Sequence, residues 1–155
     1  MGGSSLGIGP RSQEHVLPPP GGGPNLLSID EPACTTFIAL VAEVRVHRKT
    51  GVIEPVRYVC AHECGLIVNP ETLTHVIERQ LVYGTGRTTV EELTWDRNMV
   101  TSLDWSSYPV LHMQHVPARI DVHLIERPEA APSGAAEMAL GLVPAAMGNA
   151  VFDAT

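Results

Sequence analysis

The stretch from residue 37 to residue 65, FIALVAEVRVHRKTGVIEPVRYVCAHECG, leaves this chain few ways to fold. Leu40, Ala42, Val44 and Val46 alternate with Val41, Glu43, Arg45 and His47. A period of two puts each set on its own face of an extended strand, whereas a helix would scatter them. Thr50 and Gly51 then offer a turn, with Gly51 free to take positive φ. The apolar residues that follow read as a second strand. Pro55 cannot donate a ladder hydrogen bond, so an edge or a bulge is expected at that point.

Downstream, NPETLTHVIERQLVYG has the marks of a helix. Asn69 is a good N-cap, and Pro70 suits the first helical position, where a missing N–H costs nothing. Leu73, Val76, Ile77 and Leu81 fall on one side. Gly84 and Gly86 should weaken the helix, which RTTVEEL then resumes. TWDRNMVTSLDW reads as a short hairpin. ARIDVHLIE reads as a strand with Ile120, Val122 and Leu124 inward, and RPEAAPSGAAE as loop. LVPAAMGNAVFDAT is expected to be a helix opening near Pro144. Strands and helices are mixed without a clean βαβ repeat. The expectation is therefore an α+β fold, with hairpin-rich mixed strands packed against two or three helices.

Residues 1–33 differ from the rest. MGGSSLGIGP and LPPPGGGPNL are rich in glycine and proline, a composition that buries too little apolar surface to offset ordering entropy. They are expected to form a flexible arm ahead of a domain spanning 34–155. GIGPRS looks like a phosphate loop only superficially, since neither a strand before it nor a helix after it is legible.

Composition narrows the function. The chain has 155 residues, with 10 Lys+Arg against 17 Asp+Glu and a formal charge of -7. That balance argues against a general nucleic-acid binder, which needs a basic face to displace counterions. Hydrophobic residues make up 44% and aromatics 5%, so aliphatic side chains must fill the core. The three cysteines, Cys34, Cys60 and Cys64, are too few and uneven for a disulfide framework. With no membrane-length apolar run and no signal peptide legible, a cytoplasmic location is expected.

Three groups of side chains could carry chemistry. Cys60, His62 and Cys64 would share a face of a strand, and thiolate plus imidazole is zinc chemistry. A fourth ligand is not evident, and small buried strand residues are the plainer reading. His112 and His115 could share a helical face, but Pro109 and Pro117 favour an irregular segment. The third is Glu137, alone in PSGAAEMALGLVPAAMGNAVFDAT, with no Lys or Arg after it. Packed against other surfaces, such a carboxylate would be desolvated, which suits a general base. Facing solvent, it would be an ordinary capping glutamate. Local sequence alone favours the solvent-facing reading.

From about Phe37 to Thr155 the chain resembles the C-terminal end of the molybdopterin-binding large subunit of molybdenum hydroxylases. This is the xanthine dehydrogenase and aldehyde oxidase family, and the isoquinoline 1-oxidoreductase-like branch is the nearest in pattern. VAEVRVHRKTGVI, AHECGLIVNPETL, EELTWDRNMVTSLDWSSYPVL and LVPAAMGNAVFDAT carry the resemblance in the family's order. It implies a molybdenum–molybdopterin cofactor and hydroxylation of N-heterocycles or aldehydes, with oxygen from water and electrons leaving through iron–sulfur clusters. The family's Gly-x-Gly-Glu motif falls on Gly134, Ala135, Ala136 and Glu137. The resemblance thus implies Glu137 as the catalytic base, buried in an apolar setting, and Gly134, Ala135 and Ala136 as the cofactor-binding stretch, with no protein metal ligand.

The pattern also departs from the family. Val76 and Tyr83 stand where the family has glutamines, Arg79 where it has a glycine, Ala136 for the second motif glycine, and Met138 for a proline. The family's large chain is several times longer. The resemblance therefore implies a fragment or shortened version of that chain, inactive alone. Its partners would be the remainder of the large subunit and an iron–sulfur small subunit. The alternative is a cofactor-free module derived from the family, acting in homo-oligomerisation or partner binding.

Overall fold

The computed structural model describes residues 36–155. The glycine- and proline-rich arm over 1–33, GIGPRS within it, and Cys34 lie outside the described residues.

Strands β1 (Phe37–Val46) and β2 (Ile53–Glu63) form the expected antiparallel pair. The connecting turn closes through Gly51 N–H to His47 O at 2.8 Å, and Gly51 has φ +74°. The alternation holds along β1, where Ile38, Leu40, Ala42 and Val44 pack on the core. Glu43 stands opposite Arg57 and Val44 opposite Pro55, which leaves Val56 as the extra residue of a bulge. Pro55 therefore sits where the ladder has no use for its missing donor, as expected.

Helix α1 (Pro70–Thr89) starts where the sequence indicates, with Asn69 Oδ1 accepting the Thr72 N–H at 3.0 Å. It does not falter at the glycines. A Cβ on Gly84 would lie 2.6 Å from Val143 Cγ2, and one on Gly86 would lie 2.9 Å from Glu91 Oε1. Both glycines are places where other segments touch the helix, and that packing outweighs their poor propensity. The helix ends at Thr89, so Glu91–Leu93 do not resume it. The expected hairpin after it is reduced to one bridge between Trp95 and Val100.

Strand β3 (Arg119–Ile125) lies beside β2 and runs parallel to it, with Tyr58 opposite Ile120, Cys60 opposite Val122 and His62 opposite Leu124. The three strands make one mixed sheet in the order β1-β2-β3. The parallel step needs a crossover, which α1 and the segment after it supply. Arg57 and Arg119, paired in register, both bind Asp121, at 2.6 and 2.8 Å, and the Arg57 pair ties β3 to the central strand. Helix α2 (Val143–Ala154), led by a 3-10 turn at Leu140–Leu142, opens at Pro144 as expected and packs on β1. Two α-helices are thus present among the described residues, and the fold is α+β.

The core contains Tyr58, Cys60, Ile77, Leu81, Ala139, Val143 and Met147. Tyr58 brings a hydroxyl into it. Thr85 Oγ1 donates to Leu81 O at 2.8 Å, so the Tyr58 O–H donates to Thr85 Oγ1 at 2.9 Å. Burial raises the Tyr58 pKa above its ordinary value, more than that hydrogen bond lowers it.

His62 is also fully buried, yet neither ring nitrogen has a hydrogen-bond partner among the described residues. Desolvation holds its pKa below the ordinary 6.5, against a smaller opposite effect of Glu63. The folded protein therefore takes up this proton less readily than the unfolded chain. The His62 contribution is at its most favourable above pH 6.5 and is lost progressively as pH falls below it. His62→Leu, which also removes two unsatisfied buried atoms, is expected to raise stability by about 1–3 kcal/mol. The gain should widen below pH 6.5. Denaturant titrations of both proteins across this pH range check it, and parallel stability curves would refute the assignment to His62.

Candidate functional site

The loop ahead of α2 carries Glu137, and it is pinned to the fold from two sides. On the sheet side, the Ser133 N–H donates to Cys64 O at 2.8 Å. Thr36 Oγ1 donates to Gly134 O at 2.7 Å, which leaves the Ser133 hydroxyl to donate to Thr36 Oγ1 at 2.6 Å. On the helix side, Gln80 of α1 donates from Nε2 to Ala135 O at 2.9 Å and accepts the Ala139 N–H at 2.8 Å. Only Ala136, Glu137 and Met138 are left between these attachments.

Further back, Gly65 takes φ +77°, and a Cβ there would collide with Ala131 O. The Gly65 N–H is held by Glu63 Oε1 at 2.8 Å, and the Leu66 N–H donates to Ala130 O at 3.1 Å. A glycine at the end of β2 thus lets the 130–133 backbone lie directly on it. From there the loop runs to Glu137.

Glu137 is the one residue other than glycine with positive φ among the described residues, at 64°. For a glutamate this costs about 1–2 kcal/mol relative to ordinary backbone. Such outliers persist where surrounding contacts impose them, and they concentrate at functional sites. The expectation of a buried carboxylate is corrected: Glu137 is exposed, as are Ala136 and Met138. The apolar character of the neighbours does not bury it, because Ala139 turns into the core and Met138 turns outward. Among the described residues the Glu137 carboxylate has no hydrogen-bond or ion-pair partner.

Gly134, Ala135 and Ala136 precede it as the expected small-residue stretch. A Cβ on Gly134 would meet no atom within 4 Å, and Gly134 is not among the positive-φ glycines. Neither packing nor conformation within the described residues calls for a glycine there. The space around a Cβ at that position is open. A groove of about 700 Å³ lies elsewhere, between the β1–β2 turn and the end of α1, lined by residues including Arg45, Val52, Thr88 and His115 and by none of 134–137.

The other candidates do not form a site. Cys60, His62 and Cys64 are all buried. Burial pushes the Cys60 thiol up to about 11, so it is not a thiolate at neutral pH. Among the described residues no group of three or more His, Cys, Asp or Glu is placed to hold a metal ion. His112 precedes and His115 ends a short 3-10 turn in an exposed, irregular segment, with ring centroids 6.4 Å apart. No helix among the described residues is long and apolar enough to cross a membrane.

Gln80 and Thr36 tether the loop, and sequence reasoning missed both. For Gln80 a signal existed. It follows Ile77 by three residues and adjoins Leu81, so an amide falls on the buried side of the helix and needs polar partners there.

The described residues thus form a small mixed sheet with two helices packed on it, carrying a pinned loop with a left-handed glutamate. The molybdopterin cofactor-binding domain family matches residues 26–117, and the chain belongs to that family and so to the molybdenum hydroxylases. The match ends before the Glu137 loop. The chain is 38% identical over 119 residues to a nicotinate dehydrogenase chain of Pseudomonas putida, covering 77% of this chain and 10% of that protein. It is 28% identical over 130 residues to the beta chain of isoquinoline 1-oxidoreductase of Brevundimonas diminuta, covering 84% of this chain and 16% of that one. Among solved structures, quinoline 2-oxidoreductase from Pseudomonas putida superposes with a TM-score of 0.63 at 24% identity, over 72% of this chain and 15% of that one. A Cu,Mo-CO dehydrogenase superposes with a TM-score of 0.67 at 20% identity, over 77% of this chain and 16% of that one. These superpositions establish a shared fold. The chain spans about a tenth to a sixth of the length of these relatives.

Proposed function

We propose that residues 34–155 form one wall of a molybdopterin site in a molybdenum-dependent oxidoreductase acting on N-heterocycles or aldehydes. In this reading Glu137 is the proton-accepting residue. Gly134, Ala135 and Ala136 give the cofactor close access to the backbone. When bound, the cofactor supplies the two-electron oxidation of the substrate. The chain's own part is to hold a carboxylate at a set place beside it and to accept a proton at a Glu137 carboxylate oxygen.

The observation that carries the reading is the pinned loop with its left-handed, outward-facing Glu137. An exposed carboxylate is a poor base until water is excluded, so the wall needs its opposite face. Exposed apolar side chains point the same way. Leu93, Trp95, Leu103, Trp105 and Met113 are each more than half exposed within one stretch of chain, and in this reading further protein covers them. The remainder of a large subunit is the covering expected here, with an iron–sulfur small subunit to remove electrons. Cys60 and Cys64, both free, suit a reducing cytoplasmic setting. The same exposed residues would serve the second reading, a cofactor-free oligomerisation or partner-binding module.

Metal and pterin analysis separates the two. Purified alone, the chain is expected to carry no molybdenum. Co-purified with a co-expressed polypeptide supplying the remainder of the large subunit, it is expected to carry stoichiometric molybdenum and pterin. A stable complex or homo-oligomer without either would favour the cofactor-free module.

A further inference from the structure

One side chain holds the backbone on both sides of Glu137. Gln80 lies near the middle of α1 and is 2% exposed. Its Nε2 bonds Ala135 O, two residues before Glu137, and its Oε1 bonds the Ala139 N–H, two residues after. A primary amide presents a donor and an acceptor on one planar group, so a single residue can close both ends of a five-residue arch. Leucine or methionine would fill similar space and serve neither end. A buried amide is costly unless its hydrogen bonds are made, so the loop and the glutamine depend on each other.

We infer that Gln80 is the positioning residue that bridges Ala135 and Ala139 and so holds Glu137 in its left-handed, outward-facing conformation. The inference rests on the reading of Glu137 as the proton acceptor for its functional meaning, but its geometry can be tested apart from turnover. Among the described residues the Glu137 side chain makes no hydrogen bond or ion pair that would hold its own conformation. Thr36 reaches only as far as Gly134, and Met138 is exposed. With Gln80 removed, the stretch from Ala135 to Met138 has no tether among the described residues, and positive φ at a glutamate relaxes to ordinary backbone.

Solution NMR on the full chain tests this through two readouts: the strong intraresidue amide-to-Hα NOE that positive φ gives Glu137, and hydrogen exchange at the Ala139 amide. In Gln80→Met, the Ala139 amide is expected to exchange about tenfold faster or more, and the Glu137 NOE to weaken, while the Tyr58 and Leu81 amides stay protected. Gln80→Glu keeps the acceptor for Ala139 and is expected to restore much of that protection. Unchanged Ala139 exchange and Glu137 NOE in Gln80→Met overturn the inference. Loss of Leu81 protection along with Ala139 also overturns it, since Gln80 would then act by packing. Failure of Gln80→Glu to restore Ala139 protection does so too. If Glu137→Gln leaves turnover of the assembled enzyme intact while these readouts behave as expected, the proton-acceptor reading fails and the bridge stands.

Discussion

Glu137→Gln, made in the assembled and cofactor-loaded enzyme, should lower kcat by about 10²–10⁴-fold, the range over which a positioned general base contributes. Glutamine keeps the size of the side chain and cannot accept the proton. The change should be nearly silent in stability, within about 0.5 kcal/mol, because the exposed carboxylate contacts nothing among the described residues. Most loss should therefore appear in kcat, with cofactor content unchanged. Single-turnover kinetics beside molybdenum analysis check both halves. A loss below about tenfold would move the base elsewhere, and a parallel loss of molybdenum would make Glu137 a cofactor anchor instead.

Gly65→Ala should be among the most damaging single-methyl changes in the chain. Alanine at φ +77° is strained by about 1–2 kcal/mol. Its Cβ would also strike the Ala131 carbonyl oxygen, which is backbone and has no rotamer by which to retreat. Overpacking of that kind costs about 1–3 kcal/mol, so a loss of roughly 2–5 kcal/mol is expected in all. Gly51→Ala is the control. Gly51 has nearly the same φ, +74°, with nothing within 4 Å, and should show only the conformational part. Chemical denaturation of the two variants separates the effects, and equal losses would mean that the close approach of Ala131 contributes nothing. Because the 130–133 backbone leads directly to Glu137, Gly65→Ala should also disturb the loop in molecules that remain folded.

Much of the fold was legible because local rules govern it. The alternation along β1, the Asn69–Pro70 start of α1, the bulge at Pro55 and the opening of α2 at Pro144 each follow from a few neighbouring residues. Glycine in α1 misled because propensity takes no account of what packs there. Gly84 is where Val143 enters, and Val143 lies 59 residues later in the chain. The parallel pairing of β2 with β3 had no local sign either, since nothing within either strand states which neighbour it will find.

The candidate site divides in the same way. Its residue types were readable as a solitary carboxylate after three small residues, in a segment resembling a family motif. Its exposure was misjudged, because apolar neighbours in sequence need not be neighbours in space. Met138 faces water and Ala139 the core, an arrangement decided by how the loop enters α2.

By itself the sequence determined most strand and helix boundaries, the chemistry available at position 137 and the family to which the chain belongs. The boundaries rest on backbone sterics, capping and side-chain period, which act within one or two turns of chain. Tertiary structure alone decided that Glu137 faces outward in a left-handed conformation on a tethered loop. The tethers join residues 55, 59 and 98 positions apart. Hydrogen bonds over such separations exist only once the sheet and helices have packed.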